Sequence, residues 1–292
     1  MKIGIIGAGN WGKNLLRVFN DFASVKWCAK KTDTIWVNSN YPQIKTTLDY
    51  REILKDEEVK AVVISTPIKE LSTIAYESLK AGKHVFLEKP MAQNAEEAKK
   101  LIEIANEKIL FIGYVYLYHP IFQRIKKIIS SDPPVQIDTN WRKFGTFDND
   151  IILNLVSHDL SILVGLFGSV PERTKIVRKE KIISEIDVIA LDLEFNSGKK
   201  ATININRAHP LKSKEVRIKT ESGKILYWID EKLDELDKQK NCFELRFENE
   251  EESLKMECLE FLRSVEENTE PISNGKLGLQ ILEILETLKS GD

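Results

Sequence analysis

The sequence predicts an α/β protein with an N-terminal doubly wound parallel sheet, followed by an α+β domain whose open-faced sheet is mainly antiparallel. Short apolar strands alternate with amphipathic helix patterns up to about residue 117, which is typical of a parallel sheet. From Ile189 onward the apolar residues recur at every second position, which is typical of antiparallel strands. We therefore expect one domain at residues 1–117 and a second at residues 118–292.

Residues 1–20, MKIGIIGAGNWGKNLLRVFN, predict a strand, a glycine turn and a helix. Gly7 would permit the tight turn, Gly9 would let a ligand approach bare backbone, and Gly12 would let the helix pack on the strand. The helix N-terminus would offer N–H groups and a positive dipole end to a pyrophosphate. The pattern therefore predicts a dinucleotide-binding Rossmann domain, and a purely structural glycine turn is the alternative. The predicted apolar helix face comprises Trp11, Leu15, Val18, Phe19 and Phe22.

The composition describes a globular protein, with 42% hydrophobic and 30% charged residues. The net charge of −2 gives no reason to expect nucleic acid or an anionic membrane as a partner. No apolar run approaches the length of a membrane span, and the N-terminus does not resemble a secretion signal, so we expect a cytoplasmic location. Cys28, Cys242 and Cys258 lack metal-site spacing, which predicts reduced thiols and no metal ion.

The second predicted strand, residues 25–29, ends in Lys30-Lys31-Thr32-Asp33. Dinucleotide folds usually have an acidic residue about twenty positions past the glycines, where it holds the ribose hydroxyls. Lys30 occupies that place, and lysines would attract a 2′-phosphate that a carboxylate would repel. The sequence therefore favours NADP over NAD. The alternative is that Asp33 contacts the ribose while the lysines are only solvated.

Three later strands, at residues 61–65, 83–87 and 109–113, complete the predicted parallel sheet. Thr66-Pro67 closes the first of them and Glu88-Lys89-Pro90 closes the second. Ligands on such a sheet lie at the carboxyl ends of its strands. The expected cofactor-binding residues are Gly7, Gly9, Asn10, Trp11, Gly12, Lys30, Lys31, Thr66, Pro67, Glu88 and Lys89.

The second domain should begin with a helix at residues 125–129 and continue through a strand at 135–141 to a helix at 153–167 that Gly168 ends. Asn196-Ser197-Gly198 should turn the chain between two strands. The remaining predicted strands are at residues 189–195, 201–205, 216–220, 225–229 and 243–247, and the last helices are at 252–266 and 277–289.

Asn154 and His158 stand four apart in the otherwise apolar helix, so they should share one face. Histidine is the side chain best suited to exchange protons near neutral pH. The alternative is a core histidine beside an exposed Asp159. Lys89, after a buried strand, is the other candidate for proton transfer, and a surface lysine is its alternative.

The chain resembles the glucose-fructose oxidoreductase and inositol dehydrogenase (Gfo/Idh/MocA) family of NAD(P)-dependent sugar oxidoreductases. The resemblance rests on GAGNWGKNL, VVISTP, AGKHVFLEKPMA, GYVYLYHP and LNLVSHDLSILVGLFG, which run along nearly the whole chain. The sequences of these segments are most similar to those of members that act on nucleotide-linked hexoses, such as 3-dehydrogenases of UDP-N-acetylglucosamine-type sugars.

The resemblance implies hydride transfer between a nicotinamide and a ring carbon of a pyranose. It implies that Lys89 and His158 lie beside the reacting hydroxyl and handle its proton, with Asn154 in the place of the family's aspartate. An asparagine can orient a hydroxyl but cannot relay a proton. Tyr118, His119 and Arg142 are expected to line the sugar or phosphate pocket, and each could equally be structural.

Two further departures from the family pattern bear on function: Leu71 replaces a frequent histidine, and the second domain is short. The sequence leaves two other functions open, namely a non-catalytic dinucleotide-binding sensor and a reductase of a small carbonyl compound. The resemblance also implies a homodimer or homotetramer formed through the open face of the second sheet.

Overall fold

The computed structural model describes residues 1–237 and 241–290. The chain divides into two compact units, one of Met1–Val115 with Ser253–Glu283 and one of Tyr116–Glu252 with Ile284–Asp292. The break after Val115 lies close to the predicted boundary at 117, but the first unit also takes a C-terminal segment that the prediction assigned to the second domain. Residues 238–240, 291 and 292 of the predicted second domain lie outside the described residues.

The first unit contains a six-stranded parallel sheet in the order β3-β2-β1-β4-β5-β6. This order places β1 and β4 side by side at the point where the chain changes direction across the sheet, which is where Rossmann folds bind ligands. The strands are β1 (Lys2–Ile6), β2 (Ser24–Ala29), β3 (Lys45–Thr47), β4 (Ala61–Ile64), β5 (His84–Glu88) and β6 (Leu110–Gly113).

Helices cover this sheet because each has one buried apolar stripe. On α1, Leu15, Leu16, Val18 and Phe19 are buried, whereas Trp11 and Phe22 of the predicted face are exposed. The side chain of Asn94 accepts a hydrogen bond from Glu97 N and so caps the N-terminus of α5. The helices are α1 (Asn10–Phe22), α2 (Ile35–Asn40), α3 (Arg51–Lys55), α4 (Ile68–Lys80), α5 (Ala95–Ala105) and α8 (Ser253–Glu267).

Four phenylalanines join α1, α8 and the sheet into one core. Phe86 of β5 and Phe111 of β6 stack with ring centroids 5.0 Å apart. Phe261 of α8 meets both rings edge-on at 5.6 Å, and it also meets Phe19 of α1 at 6.0 Å. Edge-on and stacked pairs add to the free energy of apolar burial, so α8 is an integral part of this unit.

The second unit contains an eight-stranded sheet in the order β14-β13-β12-β11-β7-β10-β9-β8. Its neighbouring strands pair antiparallel except β7 and β10, which pair parallel. The strands are β7 (Pro134–Phe144), β8 (Arg173–Glu180), β9 (Val188–Glu194), β10 (Lys200–Asn206), β11 (Ala208–Thr220), β12 (Ile225–Ile229), β13 (Lys232–Asp237) and β14 (Cys242–Glu248). The predicted fold class is thus confirmed, although β3, β8 and β13 were not predicted.

The helices of this unit are α6 (Pro120–Ile129) and α7 (Ser157–Phe167), preceded by a π-helical turn at Ile152–Val156. Gly168 ends α7 in the left-handed conformation at φ 72°, as predicted. A last helix, α9 (Gly275–Ser290), contributes residues to both units. Across residues 1–237 and 241–290, none of the helices has the length and apolar character needed to cross a membrane.

Candidate functional site

The glycine loop follows β1 with close backbone packing. Gly7 has φ 98°, a conformation that favours glycine, and a Cβ there would lie 2.2 Å from the carbonyl oxygen of Ser65. A Cβ on Gly12 would lie 1.9 Å from the carbonyl oxygen of Gly7. These two glycines are therefore required by the packing of the loop on β4 and on itself.

Gly9 is different, because a Cβ built on it would meet no heavy atom within 4 Å among the described residues. It caps the N-terminus of α1 without a side-chain hydrogen bond, and the first turn of α1 contains no acidic residue. The hydroxyl of Thr66, beside Gly7, is buried without a hydrogen-bond partner in the described part of the chain. Open space at a helix N-terminus with an unsatisfied hydroxyl nearby fits the pyrophosphate of a dinucleotide.

Trp11 links this loop to the end of β5. Its indole Nε1 donates a hydrogen bond of 2.5 Å to Oε1 of Glu88. Glu88 is buried, and a Cβ on Gly113 would lie 3.1 Å from that same oxygen, so the carboxyl fills the space between β5, β6 and the loop. Lys89 follows at once, half-buried and joined to Pro90 by a cis peptide bond.

Burial raises the pKa of Glu88 to about 7, while the hydrogen bond from Trp11 and the charge of Lys89 oppose that rise. A second buried carboxyl, Glu257 of α8, lies close enough for its charge to interact with that of Glu88. Burial raises the pKa of Glu257 well above its ordinary value, and Glu88 raises it further. Neither carboxylate oxygen of Glu257 has a hydrogen-bond partner among the described residues.

A cavity of about 400 Å³ lies beside the glycine loop, bordered by Gly7 and Thr66. Its charged lining is mainly cationic, with Lys30, Lys31, Arg51 and Lys69 against Asp49 and Glu70. Lys30 pairs with Asp33 at 3.3 Å and Lys31 with Glu70 at 2.7 Å. The predicted Lys30 and Lys31 thus border the same space as the loop.

In the second unit, the π turn and α7 carry Asn154 and His158, both half-buried. Asp159, the next residue, is fully buried and forms an ion pair with Nζ of Lys214. The alternative interpretation, a core histidine beside an exposed Asp159, is therefore wrong about Asp159. The alternation of β11 marks Lys214 as a residue of its buried face, but the sequence does not show that this lysine lies beside Asp159 of α7.

His158 lies in an aromatic cluster built from three elements. Its imidazole meets the ring of Tyr116 at 5.3 Å and that of Trp141 at 5.6 Å, both edge-on. The ammonium of Lys214 lies 4.1 Å from the centroid of Trp141 and 4.9 Å from that of Tyr116. Cation–π contact of this kind is attractive, so the charge pair and the rings hold one another in place.

His119 joins the same cluster through Trp228, whose ring lies 4.8 Å from the imidazole of His119 and 6.2 Å from the ring of Tyr116. The Nδ1 atom of His119 accepts a hydrogen bond of 3.2 Å from Ile121 N and so caps α6. Its Nε2 lies 3.2 Å from a carboxylate oxygen of Glu231. Burial lowers the pKa of His119, and the carboxylate of Glu231 opposes that change.

The family of the first unit follows from its sequence as well as its geometry. Residues 1–114 match the family described as "Oxidoreductase family, NAD-binding Rossmann fold", GFO_IDH_MocA. Residues 1–114 are thus similar to the Rossmann domain of the Gfo/Idh/MocA oxidoreductase family. The resemblance predicted from the sequence motifs is thereby confirmed.

Two curated relatives of this chain are dehydrogenases by name. It is 28% identical over 165 residues to UDP-N-acetylglucosamine 3-dehydrogenase of Acidithiobacillus ferrooxidans, covering 55% of this chain and 53% of the relative. It is 28% identical over 220 residues to scyllo-inositol 2-dehydrogenase (NADP(+)) IolW of Bacillus subtilis, covering 67% of this chain and 60% of the relative. The matches thus span little more than half the length of these relatives.

Solved structures share the whole fold. UDP-N-acetylglucosamine 3-dehydrogenase GnnA from Acidithiobacillus ferrooxidans superposes with a TM-score of 0.92 at 21% identity, covering 100% of this chain and 97% of that one. Levoglucosan dehydrogenase in complex with NADH superposes with a TM-score of 0.90 at 16% identity, covering 100% and 96%. At such identities the likeness shows the fold alone.

Within each unit, the structure brings several of the predicted site residues together. Trp11 contacts Glu88, and the loop shares its cavity with Lys30, Lys31 and Thr66. Pro67 lies just before α4 and caps it. In the second unit, His119 and His158 belong to one aromatic cluster, while the buried Tyr118 lies between Leu117 and His119 in the chain.

Arg142 is not brought to the cluster of His158. Trp141 faces that cluster, and consecutive residues of a strand point to opposite faces of the sheet. Arg142 instead pairs with Glu215 of β11 at 2.9 Å, and Tyr227 of β12 donates a 2.9 Å hydrogen bond to the same carboxylate. This placement does not support a role for Arg142 in the substrate pocket.

Five residues that border the two candidate regions were not predicted from the sequence: Arg51 and Lys69 at the cavity, and Tyr116, Trp141 and Lys214 around His158. The sequence does contain a pattern that indicates the burial of Lys214. Val216 and Ile218 are buried at alternate positions of β11, and extending that alternation by one step puts Lys214 on the same buried face. No metal-binding cluster occurs among the histidine, cysteine and acidic residues that the structure describes.

Proposed function

We propose that this protein is an NAD(P)-dependent oxidoreductase that oxidises or reduces a ring carbon of a pyranose. The observation that carries the proposal is the hydrogen bond between Trp11 and Glu88, which joins the dinucleotide loop to the strand end that bears Lys89. In the sheet, β5 lies two positions from β1. A cofactor bound by the loop after β1 would thus have the half-buried Lys89 near it, at the end of β5. When bound, the nicotinamide would supply or accept the hydride.

We assign proton transfer to Lys89 and His158. A half-buried lysine can accept a proton from a sugar hydroxyl, and its ammonium form stabilises a developing alkoxide. The edge-on rings of Tyr116 and Trp141 hold the imidazole of His158 in a defined orientation, as a general acid or base requires. Asn154, on the preceding turn, orients a hydroxyl without taking its proton.

A nucleotide-linked hexose is the proposed substrate, with the protein acting as a UDP-N-acetylglucosamine-type 3-dehydrogenase or as the corresponding ketosugar reductase. Support comes from the relative and the solved structure that carry this name. Tyr118 and His119 remain the proposed liners of the sugar pocket, because His119 lies in the aromatic cluster of His158.

NADP is the proposed cofactor in preference to NAD. The cavity beside the glycine loop is bordered by Lys30, Lys31, Arg51 and Lys69, and cations of this kind bind a phosphate group. Asp33, the alternative ribose ligand, pairs with Lys30 and is absent from the described lining of the cavity.

A second candidate function is a non-catalytic sensor of dinucleotides. The observation that favours it is Asn154, which occupies the position of an acidic residue in the family pattern and cannot carry charge. A sensor would bind the cofactor through the same loop but would transfer no hydride.

Incubation of the purified protein with NADP or NAD and a panel of UDP- and dTDP-hexoses distinguishes the two functions. We expect absorbance of reduced nicotinamide to grow with at least one sugar, and Lys89→Ala to lower kcat by about 10²–10⁴ while cofactor affinity stays within about twofold. Lys80→Ala, an exposed lysine at the end of α4, is the control and should retain wild-type turnover. Cofactor binding without turnover of any sugar would support the sensor.

We also propose a homodimer or homotetramer formed through the open face of the second sheet. Phe243 and Leu245 of the edge strand β14 are both about half exposed, and as alternate residues of one strand they lie on the same face, where a second copy could cover them. Light scattering at micromolar concentration should give at least twice the 33.5 kDa of the chain, and a monomer would contradict the proposal.

A further inference from the structure

The ion pair between Lys214 and Asp159 is a deeply buried charge pair next to a proposed site residue. The side chain of Asp159 is 0% exposed and that of Lys214 is 7% exposed. Taking two charges out of water costs several kcal/mol per ion before their attraction is counted, and apolar replacements of such pairs are often as stable. A contribution to stability is therefore a weak explanation for the burial of this ion pair. Its location next to His158 is more informative.

The pair lies against His158 on two sides. Asp159 follows His158 directly on α7, and Lys214 reaches from β11 to the rings of Tyr116 and Trp141. Those rings are the ones that meet the imidazole edge-on at 5.3 and 5.6 Å. One ammonium group thus contacts both aromatic neighbours of His158 and also anchors the helix that carries it.

We propose that Lys214 and Asp159 are positioning residues for His158, which hold its imidazole through Tyr116 and Trp141 and set the charge around it. The proposal rests on the function proposed above for His158. It assigns the pair no contact with substrate or cofactor.

The charged groups near this cluster come from three elements. Asp159 lies on α7, Lys214 on β11, and Asp230 and Glu231 lie between β12 and β13, where their charges, with that of Asp159, help raise the pKa of Tyr116. Burial lowers the pKa of Lys214 and raises that of Asp159, and each partner opposes the shift of the other. Within this set Lys214 is the cation, so its removal should favour the imidazolium form of His158, whereas removal of Asp159 should favour the neutral imidazole.

The test is a pH titration of the histidine resonances of the whole protein by NMR, with His158 assigned from a His158→Asn variant. We expect Lys214→Met to raise the pKa of His158 and Asp159→Asn to lower it, each by about half a unit or more. The double variant Lys214→Met, Asp159→Asn removes both charges together and should fold, because it leaves no buried charge unpaired.

Turnover supplies the second readout. We expect the double variant to lower kcat about tenfold or more with little change in KM for the sugar, and Lys214→Arg, which keeps the cation over the rings, to recover much of the loss. Arg217→Met is the matched control, because Arg217 lies on the same strand but pairs with Asp138 on the opposite face. It should leave both kcat and the titration of His158 unchanged.

Unchanged kcat in the folded double variant, together with the absence of opposite shifts of the His158 pKa in the two single variants, would overturn the inference and leave the proposed oxidoreductase intact. A wild-type protein that turns over no sugar would instead overturn the proposed function. In that event the opposite shifts of the His158 titration in the two single variants still decide whether the pair acts on the imidazole.

Discussion

Trp11 and Glu88 are joined by a hydrogen bond of 2.5 Å between the indole Nε1 and Oε1 of the buried carboxyl. Trp11 belongs to the first turn of α1, immediately after the glycine loop, and Glu88 is the last residue of β5. The bond therefore ties the segment that would hold a pyrophosphate to the residue that precedes Lys89. The sequence placed Trp11 on the apolar face of the helix, but its indole forms a hydrogen bond within the candidate site.

We expect Trp11→Phe to weaken dinucleotide binding about three- to tenfold, because a buried carboxyl loses its donor and the loop loses its tie to β5. The dissociation constant can be measured by isothermal titration calorimetry. Trp27→Phe is the control, since its indole also donates to a carboxylate, Asp56 at 2.8 Å, but on another strand. Equal affinities for the two variants would contradict this role of Trp11.

Gly9→Ala should separate cofactor binding from folding. Its φ of −74° suits alanine, and the added Cβ meets no heavy atom within 4 Å among the described residues, so the thermal midpoint of the free protein should stay unchanged. Because that open space is where we place the pyrophosphate, affinity for NAD(P) should fall about tenfold or more.

Gly12→Ala provides the contrast, since its Cβ would lie 1.9 Å from the carbonyl oxygen of Gly7. It should lower the free energy of unfolding by about 1–3 kcal/mol, as overpacking does, even without ligand. A Gly9→Ala protein that binds the dinucleotide as tightly as wild type would refute the placement of the pyrophosphate.

Glu257→Gln should stabilise the protein at alkaline pH. Burial and the neighbouring Glu88 raise the pKa of Glu257 in the folded state. A raised folded pKa means that the stability contributed by the protonated carboxyl is complete below the ordinary glutamate value of 4.5 and is lost as pH rises through the folded pKa. For Glu88 the same loss spans pH 4.5 to about 7.

Glutamine stays neutral, so Glu257→Gln should gain about 1–3 kcal/mol in the free energy of unfolding at pH 8, and the gain should shrink towards pH 5. Urea unfolding at both pH values measures it. Glu266→Gln, an exposed position on the same helix, should show no such dependence. A gain of equal size at pH 5 and pH 8 would show that protonation of Glu257 is not the cause.

Cofactor preference should depend on the cations of the cavity. We expect the double variant Lys30→Ala, Lys31→Ala to lose about tenfold or more in NADP affinity while NAD affinity stays nearly constant, because only NADP carries the 2′-phosphate. Lys99→Ala, Lys100→Ala removes the same charge from the exposed side of α5 and is the control. Tighter binding of NAD than of NADP by the wild-type protein would refute the proposed preference.

The local sequence was sufficient for five of the six strands of the first sheet, because each of them is encoded by contiguous residues, but it missed the three-residue β3. The glycine loop, the caps at Asn94 and Gly168 and the buried strands all follow from short-range patterns. Weakly patterned elements were missed: β8 is rich in charge, and α2 and α3 have only 6 and 5 residues. Short or highly charged segments form there because tertiary packing overrides their weak intrinsic preference.

Sequence alone determined the Rossmann domain, its glycine loop and the candidate residues Lys89, Asn154 and His158. Tertiary structure alone decided that Asp159 is buried with Lys214, that Arg142 faces away from His158, and that Trp11 binds Glu88 rather than packing as an apolar residue. The physical reason is the separation of the interacting residues along the sequence. The periodicity of helices and strands is set by neighbours in the chain, whereas a charge pair or a hydrogen bond of this kind depends on which distant strand lies beside it.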